Sequence, residues 1–325
     1  MQVRFRRVDW EFAAVFRIAF RTRTHAQTIV VELEQDGLVG RGEAAGVSYH
    51  GETAGSLLDQ LAGMTKELSK GLSRAELQGL LPAGGARNAV DCALWDLDAK
   101  RLGRRVWDMA GMGRAHPLAT TFTLGLDTPE AMRRAAAAAS QYPRLKLKLN
   151  GEDDVERVTL VRNERPDAEL FVDANQAWSE SQLDELIPPL ALLGVKLIEQ
   201  PLPAGKDDAL SGFRCAVPIC ADESCQTVES LSAMASKYQY VNIKLDKTGG
   251  LTEALQLARL AKAQGLKVMV GCMAGSSLSV APAFVVGQLC DVVDLDAPLL
   301  LKSDVPDAIR YEGNRMLAPD QRLWG

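Results

Sequence analysis

Ionisable residues recur at the ends of short apolar runs in this chain. Lys146 and Lys148 stand two apart in LKLKL, Asp173 closes ELFVD, Glu199 closes VKLIE, Asp222 follows VPICA, Lys244 ends YVNIK, and Asp294 and Asp296 lie in DVVDLDAP. From Lys148 to Lys244 successive members are 25, 26, 23 and 22 residues apart. One acidic residue at a strand end is more often a helix cap or a solvated side chain. Three successive carboxylates flanked by lysine-bearing runs form a pattern that independent capping seldom produces.

The chemistry follows from the residue types. Three carboxylates brought to one point raise each other's pKa unless a cation holds them. Asp173, Glu199 and Asp222 are therefore expected to bind a divalent metal, and oxygen-only ligands suit Mg²⁺, with Mn²⁺ as the natural substitute. A His-rich centre is excluded because the chain has only three histidines. A free lysine, with a pKa of about 10.4, is a poor base at neutral pH. Lys146 beside Lys148, with a metal nearby, is expected to bring the Lys148 amine towards the operating pH. Lys244 lies four repeats further on, so in a ring of eight it would face Lys148 across one substrate carbon.

The elements that must position these groups are legible as a repeat. Eight apolar runs, near 120, 147, 172, 198, 220, 243, 270 and 294, alternate with helical segments such as AMRRAAAAASQ and LTEALQLARLAKAQG. Strand–helix alternation demands a parallel sheet, and eight units suggest a closed barrel with its chemistry at the carboxyl ends of the strands. A doubly wound open sheet is disfavoured because FTLGLDTPE after the first run is not G-x-G-x-x-G. Before the barrel, the first fifty residues alternate polar and apolar positions around a hairpin signal at Asp36-Gly37, and helical spacing follows from about 52 to 113. The last stretch, from about 301, is long enough to return to this first α+β unit.

Composition bounds the rest. A formal net charge of −5 and a pI near 5.4 give no attraction for nucleic acid or an anionic membrane. Asp9, Glu11 and Arg17 interrupt the apolar residues of the amino terminus, leaving neither a leader core nor a membrane-length run, so a cytoplasmic protein is expected. Six cysteines without a C-x-x-C pair read as free thiols.

The motifs KLKLN (146–150), VDANQAW (172–178), IEQPL (198–202), ADES (221–224) and VNIKLDKTGGL (241–251) resemble the enolase superfamily in its muconate-lactonizing branch. The resemblance implies an α/β fold: a modified (β/α)₇β TIM-type barrel over residues 116–301 with an α+β capping domain from 1–115, to which 302–325 return. That superfamily uses a Lys or His base with Mg²⁺ to stabilise an ene-diolate.

VGCMAGSSLS (270–279) followed by VDLDAPLLL (293–301) is similar to dipeptide epimerases, above all those acting on L-Ala-D/L-Glu. The resemblance implies that Asp294 and Asp296 hold the free ammonium of a dipeptide and that Cys272, Met273 and Ser276 line its site. In RIAFRTRTH, read as a loop of the cap, Arg23 and Thr24 are expected at the substrate's side-chain carboxylate, with Arg21 the alternative. The implied reaction is inversion of the α-carbon of the carboxyl-terminal residue by proton transfer between Lys148 and Lys244 through a Mg-stabilised enediolate, assisted by Lys146. A cycloisomerase or o-succinylbenzoate-synthase-like lyase of the same superfamily, acting on acids without an amine, is the rival; a non-catalytic ligand-binding barrel is the other. The expected partner is a small dipeptide, and a homo-oligomer stays open.

Overall fold

The computed structural model describes all 325 residues and begins with an antiparallel sheet of β1 (Gln2–Ile18), β2 (Arg21–Gln35) and β3 (Leu38–Ala44). Asp36 and Gly37, with φ of 54° and 78°, make the two-residue β2–β3 turn that sequence patterning requires. The segment expected to be a loop is instead the far end of a long hairpin. Arg21, Thr22 and Arg23 pair with Ile18, Arg17 and Phe16 around a turn at Ala19-Phe20. No glycine or proline interrupts either side there, so the ladder continues. Residues 12–15 of β1 bulge opposite Thr24, and Phe12 bridges to Leu301 at the barrel mouth.

Helices α1 (Ala54–Ser69) and α2 (Arg74–Leu80) start in capping boxes, Thr53 with Ser56 and Ser73 with Glu76, and lead to α3 (Gly85–Leu102). Ala89, Ala93 and Leu97 of α3 pack into the core of the first sheet with Ile29 and Val31, while Cys92, Trp95 and Ala99 belong to the barrel core. One helix therefore joins both cores. Its approach to β3 is backbone to backbone: a Cβ on Gly42 would overlap the Ala89 carbonyl oxygen and lie 2.9 Å from the Ala93 nitrogen. Gly42→Ala is expected to lower stability by about 1–3 kcal/mol, the usual range for overpacking. An unchanged melting temperature in thermal denaturation would refute this packing.

After α4 (Val106–Met109) and the two-residue β4 (Leu118–Ala119) come eight parallel strands. They are β5 (Phe122–Leu124), β6 (Arg144–Lys148), β7 (Glu169–Asp173), β8 (Val195–Glu199), β9 (Ile219–Ala221), β10 (Tyr240–Ile243), β11 (Lys267–Val270) and β12 (Val292–Val293), in sequential order. A parallel bridge between Thr120 and Val293, with the Thr121 amide 3.0 Å from the Val293 carbonyl, joins the last strand to the first and closes the ring.

Helices α5 (Pro129–Ala138), α6 (Asp154–Glu164), α7 (Glu180–Leu192), the short α8 (Leu245–Thr248) with α9 (Leu251–Ala263), and α10 (Ser277–Gly287) fill five of the seven crossovers. The connections after β8 and β9 hold only 3₁₀ turns, at Asp208–Leu210 and Val228–Ala233. Pro201, Pro203, Gly205, Gly212 and Pro218 break the first of these, so strict strand–helix alternation fails there.

Inside the barrel, Phe171, Leu197, Cys220 and Met269 form a buried apolar floor. Asp173, Glu199 and Asp222 lie two residues further along the same strands, hence on the same inner face above that floor. The tail first adds β13 (Tyr311–Glu312) and β14 (Arg315–Met316) to β4. Its last residues then reach α3, where the Trp324 indole donates to the Cys92 carbonyl at 3.0 Å and the Gly325 amide to Asp96 at 2.8 Å. No helix is long and apolar enough to cross a membrane.

Candidate active site

A cavity of about 160 Å³ opens at the carboxyl ends of the strands. Lys146 and Lys148 enter it from β6, Lys244 from the end of β10, and Asp294 and Asp296 from beyond β12. The hairpin covers it with Phe12, Phe16, Ile18, Arg21 and Arg23. Ionised groups in such a place must be paired, because burial penalises charge. The lysines and the carboxylates of Asp173, Glu199 and Asp222 are all at most 8% exposed.

The pairing is dense. Lys148 lies 2.5 Å from Asp173 and Lys244 2.6 Å from Asp222. Lys146 sits among three acids, 2.6 Å from Glu199, 2.7 Å from Asp294 and 3.2 Å from Asp173. Burial alone would lower Lys146, but Asp294, Glu199 and Asp173 outweigh it and hold the ammonium well above the ordinary lysine range. Lys244 is likewise raised, Asp222 and Glu199 overcoming burial. Lys146, expected both to lower Lys148 and to polarise the substrate carboxylate, lies with its ammonium among three acids because β6 aims it down among them.

Among the acids, burial would raise Asp173, but Lys148 and Lys146 bring it down to about 2. Asp222 falls well below the carboxylate range, Lys244 and Lys247 overcoming burial. Glu199 moves the other way, pushed up to about 7 by burial and by Asp173. Glu223 is pushed up to about 8 by burial and the neighbouring Asp222.

The acidic pair divides its work. Asp294 accepts from Lys146 and from the Thr121 hydroxyl. Asp296 accepts from Thr123, whose backbone amide lies at 2.6 Å, and is pushed up to about 7 by burial and by Asp294. Of the two, Asp296 is the carboxylate without a cationic partner.

Two expected substrate contacts are elsewhere. Ser276 is fully buried outside the cavity, capping α10 through the Leu278 amide and donating its hydroxyl to Glu43. Thr24 is exposed, its hydroxyl 3.0 Å from the His25 ring, because strand alternation turns it away from the face that carries Arg21 and Arg23. Cys272 and Met273 do line the cavity.

Sequence reasoning passed over Asn242 and Lys247. The Asn242 amide donates to Glu199 at 2.8 Å, and Lys247 donates to the Asp222 carboxylate at 2.6 Å. Asn242 stands two before Lys244, so period two was signal enough for it. Thr121 and Thr123 alternate on the first barrel strand in the same way. Lys247 begins no strand and left no such mark.

No three acidic side chains stand as a ready-made ligand set, since each is drawn onto a lysine. The residues nevertheless fit a hard divalent cation. Asp173, Glu199, Asp222, Glu223, Asp294 and Asp296 outnumber the ammonium groups of Lys146, Lys148, Lys244 and Lys247 by two, with Arg21 and Arg23 the remaining cations on the cavity wall. Burial first, and then the neighbouring carboxylates, push Glu199, Glu223 and Asp296 up. Glu199 Oε2 is also buried with no hydrogen bond, although Lys146 lies 2.6 Å away at an unsuitable angle. An oxygen left so is well suited to a metal.

Comparison with known proteins agrees with this architecture. Residues 1–111 match the family described as mandelate racemase / muconate lactonizing enzyme, N-terminal domain, and residues 130–322 match enolase C-terminal domain-like. L-Ala-D/L-Glu epimerase of Escherichia coli is 43% identical over 304 residues, covering 93% of this chain and 95% of that one. N-acetyl-D-glutamate racemase of a Pseudoalteromonas species is 40% identical over 299 residues, covering 91% and 95%. An enolase family member from Agrobacterium tumefaciens, solved with sodium and L-Ala-L-Glu, has a TM-score of 0.97 at 40% identity and covers 99% of both chains. A dipeptide epimerase from Enterococcus faecalis, complexed with Mg and L-Leu-L-Tyr, has a TM-score of 0.92 at 28% identity, covering 99% and 98%.

Fold and site together define a capped barrel enzyme of the enolase superfamily. Within it, the chain belongs to the mandelate racemase / muconate lactonizing enzyme family.

Proposed function

We propose that this chain is a dipeptide epimerase of the L-Ala-D/L-Glu type, an isomerase that inverts the α-carbon of the carboxyl-terminal residue. The observation that carries the reading is the placement of Lys148 on β6 and Lys244 after β10, four strands apart in a ring of eight, with both amines opening into one cavity. One lysine takes the α-proton and the other returns a proton to the opposite face. Asp173, Glu199 and Asp222 would hold Mg²⁺, which supplies fixed positive charge where the substrate carboxylate gains negative charge. Were Asp222 and Glu199 so committed, Lys244 would lose the anions that raise it, and its amine would become available as a base. Lys146 keeps its charge beside the same carboxylates and steadies the developing anion.

Arg21 and Arg23 account for the acidic side chain. Neither makes an ion pair within the protein, and burial together with the neighbouring Arg21 pushes the half-buried Arg23 guanidinium downward. A glutamyl carboxylate would supply the missing partner. Asp296 accounts for the amine. It lacks a cation, and an ammonium at that position would restore the charge that burial and Asp294 disfavour.

The relative acting on N-acetyl-D-glutamate suggests a second reading, with a substrate that shares the side-chain carboxylate but has no amine. Asp296 favours the dipeptide. In D₂O the protein should convert L-Ala-L-Glu to its epimer with one deuteron added and the bond framework unchanged. Asp296→Asn should raise KM for the dipeptide about 10- to 100-fold, the worth of one charge-assisted hydrogen bond, with kcat nearly unchanged. Turnover of N-acetylglutamate as fast as the dipeptide, with Asp296→Asn indifferent to both, would favour the second reading.

A further inference from the structure

Asp173, Glu199 and Asp222 share a feature beyond their charge: each has one oxygen tied by a donor other than Lys146, Lys148 or Lys244. Asp173 Oδ1 accepts the Asn175 amide at 2.9 Å, while Oδ2 faces Lys148. Glu199 Oε1 accepts Asn242 Nδ2 at 2.8 Å, while Oε2 has no hydrogen bond. Asp222 Oδ1 accepts Lys247 Nζ at 2.6 Å, while Oδ2 faces Lys244.

Two of these three donors come from one short segment. Lys247 also donates to the Asp222 carbonyl at 2.5 Å and to the Asn242 carbonyl at 2.8 Å, so its three N–H groups are spent. With its side chain fully buried, it can neither reach substrate nor exchange partners easily. Asn242 is held at a cost, for its Oδ1 is buried without a partner, a place where an apolar residue would sit more comfortably. Space for it is reserved at the end of the neighbouring strand β11: a Cβ on Gly271 would lie 2.8 Å from both Asn242 amide atoms and 3.0 Å from Lys244 Cε.

We propose that Asn242 and Lys247 are positioning residues that hold Glu199 and Asp222 to one free oxygen each and thereby select a small cation, Mg²⁺, over a larger one such as Ca²⁺. Mg²⁺ demands short contacts in near-ideal octahedral geometry, whereas Ca²⁺ readily takes a carboxylate through both oxygens. A carboxylate with one oxygen tied is confined to the first mode. Once the tie is removed, the group can turn and offer both. This rests on the metal reading above, and neither residue touches the reacting atoms.

Calorimetric titration of the metal-free, full-length protein with Mg²⁺ and with Ca²⁺, in the absence of substrate, tests it. Wild type should prefer Mg²⁺. Asn242→Ala and Lys247→Met should each weaken Mg²⁺ about 10- to 100-fold, the usual effect of losing a group that orients a metal ligand, while Ca²⁺ is held as well as before or better. Asn242→Ala, which removes a single bond, carries the test if Lys247→Met does not fold, as judged by circular dichroism. Equal loss of both metals, or an unchanged Mg²⁺-to-Ca²⁺ ratio, would overturn the proposal and leave the metal assignment intact. A wild type that binds neither ion would overturn both.

Discussion

Lys148→Ala and Lys244→Ala should each reduce interconversion of the two epimers by about a thousandfold or more, within the range assigned to positioned proton transfer. Each should also keep one partial activity, and that is the sharper expectation. Lys148 and Lys244 reach the cavity from strands four apart in the ring, so each serves one face of the α-carbon. With Lys244 gone, the epimer that presents its proton to Lys148 can still lose and regain it, and in D₂O it exchanges without inverting. Lys148→Ala should exchange only the other epimer. The loss of charge is tolerable in both cases: Asp173 keeps Lys146 at 3.2 Å, and Asp222 keeps Lys247 at 2.6 Å. Proton NMR on each pure epimer decides the matter. If either variant still interconverts the epimers near the wild-type rate, or both exchange the same epimer, these two lysines are not the opposed bases.

The lysines and carboxylates were legible because strand chemistry is periodic. A residue at a strand end with a partner two positions earlier must share its face, and the intervals of 25, 26, 23 and 22 residues assign successive strands. Errors arose where the periodicity was not applied or where partners lie far apart in the chain. Residues 17–25 suggest a loop because nothing local marks the turn at Ala19-Phe20, whereas ladder alternation turns Arg21 and Arg23 toward the cavity and Thr24 away from it. Ser276 resembled a cavity residue through its neighbours Cys272 and Met273, but Glu43, on a different sheet, claims its hydroxyl. The contact of Lys146 with Asp294 joins residues 148 apart in the chain, which no local pattern marks. Helix α3 shows the same limit at the scale of packing, since its pattern gives a buried helix but not the fact that its two sides enter different cores.

Glu199→Gln should remove the metal response and on the order of a thousandfold of activity, while leaving the metal-free protein at least as stable as wild type at pH 8. The last part follows from the direction of its pKa. The folded protein pushes Glu199 from an ordinary value of 4.5 up to about 7, first by burial and then through Asp173. Between those two values the folded state therefore binds a proton that the unfolded state has released. By linkage, this group's contribution to stability falls as pH rises from about 4.5 to 7 and stays low above that window. Glutamine keeps the shape and the acceptor for Asn242 without the charge, so the loss disappears. Mg²⁺ should reverse the comparison. A ligand present at about one hundred times its Kd adds about 2.7 kcal/mol to a protein that binds it only when folded, an increment wild type should show and the variant should lack. Thermal melts of chelator-stripped protein at pH 5 and pH 8, with and without Mg²⁺, measure all of these quantities. A glutamine variant that still rises in melting temperature with Mg²⁺, or that melts well below stripped wild type at pH 8, would remove Glu199 from the metal site.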